Sequence, residues 1–112
     1  MSVAFYGTQE TVLSFEAGEV TPGYPVAISQ NNTVANAPSG IAPAGVAIHV
    51  REGIAAVQLH GYTELPYSGT APTLGWAKLV ADGAGGMKTD AGGIGCLVVS
   101  VNETGKTLGM YL

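Results

Sequence analysis

The residues able to do chemistry in this 112-residue chain are few and scattered. Gly83-Ala-Gly-Gly-Met-Lys-Thr-Asp90 has the glycine content of a phosphate-binding loop. Such a loop needs glycine directly before Lys-Thr, so that backbone amides can close on the phosphate, and a helix straight after it. Met87 stands where that glycine belongs, and Ala91-Gly92-Gly93 breaks any helix, so the stretch reads as a hairpin turn. His49 and His60 lack the third and fourth ligands that a zinc site gathers. His49 reads as a half-exposed strand histidine, and neither a metal site nor a cofactor is expected. Cys96 opens an apolar strand and reads as a small buried hydrophobe, with no neighbouring base in sequence to activate it. Ser14, Ser29, Ser39, Ser68 and Ser100 lie outside any Gly-x-Ser-x-Gly context. Most carboxylates (Glu16, Glu19, Glu52, Asp82, Asp90, Glu103) fall at expected turns, where solvated acids are the rule. No catalytic residues are assigned, and the chain is not expected to be an enzyme. A small hydrolase using Asp82, Asp90 or Glu103 stands as a distant rival.

Composition narrows the classes further. Charged residues make up 11% of the chain, against roughly 25% in ordinary soluble domains. With 46% hydrophobic residues, general disorder is excluded. A small domain this apolar is more stable as an oligomer or docked on a partner, because covering surface patches prevents aggregation. The net charge is −4, and the only cations are Arg51, Lys78, Lys88 and Lys106, too few and too dispersed to neutralise a run of phosphates. Nucleic acid is not an expected partner. The opening Met-Ser-Val-Ala-Phe-Tyr lacks the basic and apolar regions of a signal peptide. No apolar run approaches the roughly 20 residues that span a bilayer. The expectation is a chain made in a cytoplasm, with no membrane partner.

The elements that must carry these residues read as strands. Seventeen glycines and six prolines spread along the chain imply many short strands and tight turns. Gly45–Val50 and Ile54–Leu59 flank the polar turn Arg51-Glu52-Gly53, a hairpin signal. Strict alternation there puts Val46, Ile48 and Val50 on one face, and Ala47, His49 and Arg51 on the other. Thr11–Phe15, Val26–Ser29 and Thr33–Ala37 read as further strands, with a polar tip at Gln30-Asn31-Asn32. Gly75-Trp-Ala-Lys-Leu-Val-Ala-Asp-Gly repeats the cadence of Gly23-Tyr-Pro-Val-Ala-Ile-Ser-Gln-Asn, and Gly95–Glu103 repeats that of Gly45–Gly53. The reading is all-β with little or no helix: a small barrel or sandwich of two similar β-units. Residues 1–10 form an N-terminal arm, and 11–112 a single domain with repeat units at about 16–65 and 74–112. The long connection Pro66–Leu74 separates the halves. Tyr24, Trp76, Tyr62, Tyr67 and Tyr111 are packing or interface anchors, with Tyr24 and Trp76 expected in equivalent core sites of the two repeats.

Glu16-Ala-Gly-Glu-Val-Thr-Pro-Gly-Tyr-Pro-Val-Ala-Ile, Thr33-Val, Ala42-Pro-Ala-Gly-Val-Ala-Ile and Arg51-Glu-Gly-Ile-Ala-Ala-Val resemble the small head-decoration or cement proteins of tailed phages and prophages. The resemblance spans most of residues 11–112, and Pro66–Pro72 departs from it. It implies a structural virion protein that binds the outside of the head, contacts the major capsid protein and stabilises the shell. It also implies a homo-oligomer, favouring a trimer. Val3, Phe5, Tyr6, Val12, Leu13, Phe15, Tyr62 and Tyr67 are the expected interface residues, and the Ser2–Phe15 segment is expected to add a strand to a capsid sheet. The alternative is a small β-barrel binding module that recognises a glycan or a peptide.

Overall fold

Short apolar runs punctuated by glycine give strands whose edges must find partners. The computed structural model describes residues 11–112. Its ten strands are β1 (Thr11–Ala17), β2 (Pro25–Gln30), β3 (Thr33–Asn36), β4 (Gly45–Arg51), β5 (Ile54–His60), β6 (Tyr62–Pro66), β7 (Gly75–Ala81), β8 (Met87–Thr89), β9 (Ile94–Asn102) and β10 (Thr107–Tyr111). No helix occurs among the described residues, as the glycine and proline spacing requires.

The strands form a closed barrel in the order β1-β3-β2-β4-β5 and a five-stranded sheet in the order β6-β10-β9-β7-β8. The two share one wiring. Pairs β1–β5, β5–β4, β4–β2 and β2–β3 of the first unit match β6–β10, β10–β9, β9–β7 and β7–β8 of the second. Even the closing step repeats. β1 runs parallel to β3 at Glu16↔Thr33 and Ala17↔Val34, and the Gly18 N–H donates to the Val34 carbonyl at 2.8 Å. In the second unit the parallel bridge Tyr67↔Met87 takes that place, with the Ser68 N–H donating to the Met87 carbonyl at 3.0 Å. The internal repeat is therefore a repeat of strand pairing. Its boundary differs from the expected one. β6 is the first strand of the second unit, so the units divide at Gly61, and Pro66–Leu74 lies inside the second unit.

Turn chemistry follows the residues. Glu52 (φ 53°) and Gly53 (φ 77°) are both left-handed, the pair that a two-residue hairpin turn demands. Asn32 (φ 58°) does the same between β2 and β3. The alternation expected for Gly45–Val50 breaks, however. The β4–β5 register shifts between Ala47 and His49, a bulge that leaves Ile48 as the extra residue. Ala47 and Val50 consequently face the same core, while Ile48 is exposed.

Each unit has its own core. Val26, Val34, Ala47, Ala55 and Val57 fill the first barrel, with Phe15, Ala17, Val20, Val50 and Leu59 packed around them. Leu65, Tyr67, Ala77, Leu79, Met87, Cys96, Val98, Leu108 and Met110 fill the second unit, joined by Val46 from β4. Val46 pairs with Gln58, also buried, so this patch of the first barrel's outer wall is covered by the second unit. The joint is tied by the Gly40 N–H to the Ala81 carbonyl, the Ala81 N–H to the Ile41 carbonyl (both 2.9 Å) and Lys88 Nζ to Ser39 Oγ (2.8 Å).

Candidate interaction surfaces

The Gly83–Asp90 stretch is the hairpin turn its residues imply. Asp82 organises it. Its carboxylate accepts from the Ala84 N–H (2.7 Å), the Gly86 N–H (3.0 Å) and the Ser68 hydroxyl (2.6 Å). Partial burial pushes the Asp82 carboxyl up, but these donors and the nearby Lys88 outweigh it and hold its pKa below the ordinary value. Three of the chain's own donors thus converge on this one carboxylate. Tyr24 packs its ring on Gly85, where a Cβ would come within 2.6 Å of it. A turn in one unit thus seats an aromatic ring from the other.

The other chemistry-bearing residues stay apart. His49 and His60 are exposed on β4 and β5, and no group of three or more His, Cys, Asp or Glu side chains converges among the described residues. Cys96 is fully buried, and burial pushes its thiol up, away from a reactive thiolate.

The expected interface residues divide. Val12 and Leu13 are exposed on β1. Phe15 is half-buried against the first core. Tyr67 is 6% exposed inside the second core and Tyr62 is 8% exposed, its ring lying over Gly109. Both rings are thus largely taken up by the chain's own packing. Val3, Phe5 and Tyr6, with the rest of the arm, lie outside the described residues.

Trp76 corrects the sequence reading most sharply. The repeat places it in the core, equivalent to Tyr24, but it is 74% exposed. The signal was present in its own strand. Period-2 alternation groups Ala77 with Leu79, both buried, and Trp76 with Lys78, both facing out. Trp76 lies opposite Leu97, and Lys78 opposite Gly95, where a Cβ would meet only open space. A shallow depression lined by Thr73, Lys78, Thr89 and Asp90 adjoins this face. Leu74 stands 67% exposed just before β7. The first unit adds Ile28, Ile48 and Ile54, each about half exposed.

The second surface is an edge. β1 pairs with β5 from Thr11 to Glu16, yet among the described residues its other side meets β3 only at Glu16 and Ala17. Neither surface brings a nucleophile and a base together. What they offer is apolar area and, on β1, backbone hydrogen-bonding groups that no described strand engages. Compared with known protein families and with curated proteins, the sequence matches none.

Proposed function

We propose that the chain is a structural virion protein that binds the outside of a phage head, contacts the major capsid protein and stabilises the shell as a homo-oligomer. In this reading it is made in the bacterial host cytoplasm and works on the capsid surface. It holds no cofactor and carries out no catalytic step. The observation that carries the reading is the outward apolar surface. Trp76, Leu74, Ile28 and Leu13 are each at least half exposed, on a chain with only 11% charged residues. Apolar area of this kind is best accommodated under a neighbour. Rigid glycine-punctuated β-units joined side by side suit a protein that braces a shell, and the likeness of Glu16–Val57 to decoration proteins points the same way. Its mechanism is mass action: a ligand of the assembled shell alone makes the assembled shell more stable. The test is a titration of purified heads, taken from the phage that carries this gene and stripped of the chain. Saturable co-sedimentation at a stoichiometry matching shell symmetry supports the proposal; binding no greater than that of an unrelated acidic protein refutes it.

A second reading rests on Trp76 specifically. An exposed indole that shares the outer face of β7 with Lys78 is a surface on which a sugar ring could stack, with Lys78 within the same strand to bond a hydroxyl. Quenching or shifting of Trp76 fluorescence by oligosaccharides, with no affinity for heads, would favour this binding module.

A further inference from the structure

We propose that the chain is bivalent: each unit holds an equivalent recess for a basic side chain, so that one molecule ties together two neighbouring copies of the same shell subunit. The inference rests on the virion reading and names the contact through which the chain grips the shell.

The two recesses occupy the same place in the repeated wiring. Ser14, Phe15 and Glu16 of β1 pair with Ala56, Ala55 and Ile54 of β5. Glu64, Leu65 and Pro66 of β6 pair in the same register with Gly109, Leu108 and Thr107 of β10. In the first unit a recess of about 350 Å³ is lined by Ser14, Phe15, Glu16, Ile54 and Asn32. In the second, the lining of a recess of about 370 Å³ includes the counterparts of the first four, Glu64, Leu65, Pro66 and Thr107, together with Ser100 and Asn102. The third strand of each ladder bulges. Ile48 is the extra residue of β4, and the β10–β9 register shift between Gly109 and Met110 makes Val99 the extra residue of β9. The residues around them differ between the units, His49 against Ser100 and Arg51 against Asn102. Both bulges nonetheless carry an exposed β-branched apolar side chain. Bulges re-aim side chains at functional places, and here the device occurs twice.

The occupant follows from the charge that each recess holds. Each lining carries one carboxylate, Glu16 or Glu64, and one amide, Asn32 or Asn102, without a lysine or arginine. Each adjoining turn carries one acid and one base, Glu52 with Arg51 and Glu103 with Lys106, so the recess carboxylate sets the local sign. Apolar surface adjoins both carboxylates: Ile54 lies opposite Glu16, and Leu65 and Pro66 follow Glu64. That combination suits lysine or arginine, whose methylene stem lies on apolar surface while its charged head meets the carboxylate. A surface that occurs twice on one chain is complementary to a partner that presents its own surface twice. Gly61 alone joins β5 to β6, and the longest dimension of the molecule is 39 Å, so the two subunits gripped are neighbours in the shell.

Co-sedimentation with stripped heads tests this through Glu16→Gln, Glu64→Gln and the double variant. Both glutamates are exposed, and glutamine keeps the acceptor that each offers its own chain, to Thr33 and to Tyr62. Their far-ultraviolet circular dichroism should match that of the wild type. Two linked contacts exceed either one alone by roughly 10²–10⁴ in affinity. Each single variant should therefore bind at least about tenfold more weakly than wild type, and the double variant more weakly still. Glu19→Gln, exposed outside both recesses, should bind as wild type does. Independently, photo-crosslinkers attached at Ser14→Cys and at Thr107→Cys should capture the same lysine- or arginine-bearing peptide of the shell subunit; native Cys96 is buried and stays unlabelled. Wild-type binding with either single glutamine variant unimpaired, or capture of different peptides from the two recesses, would overturn the bivalent contact and leave the virion reading standing. Failure of the wild type to bind heads would overturn both.

Discussion

Removing the Asp82 carboxylate should loosen the turn that joins the two units. The side chain accepts three hydrogen bonds, from Ser68, Ala84 and Gly86. A bond to a charged acceptor contributes about 1.5–3 kcal/mol when well shielded. The Ser68 and Ala84 bonds are exposed, and only the Gly86 bond is partly buried, so water replaces much of what is lost. Asp82→Ala should therefore cost about 2 kcal/mol, and Asp82→Asn, which keeps an acceptor oxygen, about 1 kcal/mol. The acid dependence has a fixed sign. The folded pKa lies below the ordinary 3.8, so the contribution is fully present above that value. It is lost as pH falls from 3.8 through the lower folded value. Urea unfolding at pH 7, and again in steps down to pH 3, measures both effects. The advantage of the wild type over Asp82→Ala, and over Asp82→Asn, should shrink across the acid steps below pH 3.8. A difference within about 0.5 kcal/mol at pH 7, the range of ordinary surface changes, would refute the assignment of Asp82 as the organiser of this turn.

Gly45→Ala should destabilise severely, by about 3 kcal/mol or more, because a Cβ there would collide with the Gln58 carbonyl and the Val57 side chain; thermal unfolding reads it. Trp76, the single tryptophan, should emit at the wavelength of a hydrated indole and be quenched freely by acrylamide. Trp76→Ala should change stability by no more than about 0.5 kcal/mol. Cys96 should react with a thiol reagent only after denaturation, since it is fully buried and its thiol is pushed up; rapid reaction of the native protein would contradict its placement.

Much of the fold is legible in the chain, because turns leave local marks. Glu52-Gly53 and Asn31-Asn32 announce their hairpins, and the cadence around Gly23 and Gly75 announces the repeat. Pairing between distant strands leaves no such mark. The parallel steps Ala17↔Val34 and Tyr67↔Met87 join residues that no local pattern connects, so the division of the units at Gly61 stayed hidden behind the more conspicuous prolines of Pro66–Pro72. The bulge at Ile48 was hidden for a related reason: an inserted residue keeps its apolar character while the alternation slips beneath it. The interaction surfaces were half legible. Of the expected interface residues, Val12 and Leu13 are exposed while Tyr62 and Tyr67 are buried, because a tyrosine suits a core edge and an interface equally well. The likeness of Trp76 to Tyr24 across the repeat conceals its exposure, although Lys78 two positions on marks its face as the outer one. Equivalent positions in a repeat share backbone, not surroundings: Tyr24 meets Gly85 of the other unit, and Trp76 meets solvent.

The proposed role is tested most directly by the temperature at which stripped heads release their DNA, with and without a saturating amount of the protein. A protein that binds only the assembled shell must raise that temperature, and by more as its free concentration rises above its dissociation constant. The account predicts such a rise, diminished by Trp76→Ala if the exposed face around Trp76 and Leu74 docks on the shell. An unchanged release temperature at demonstrated saturation would contradict it.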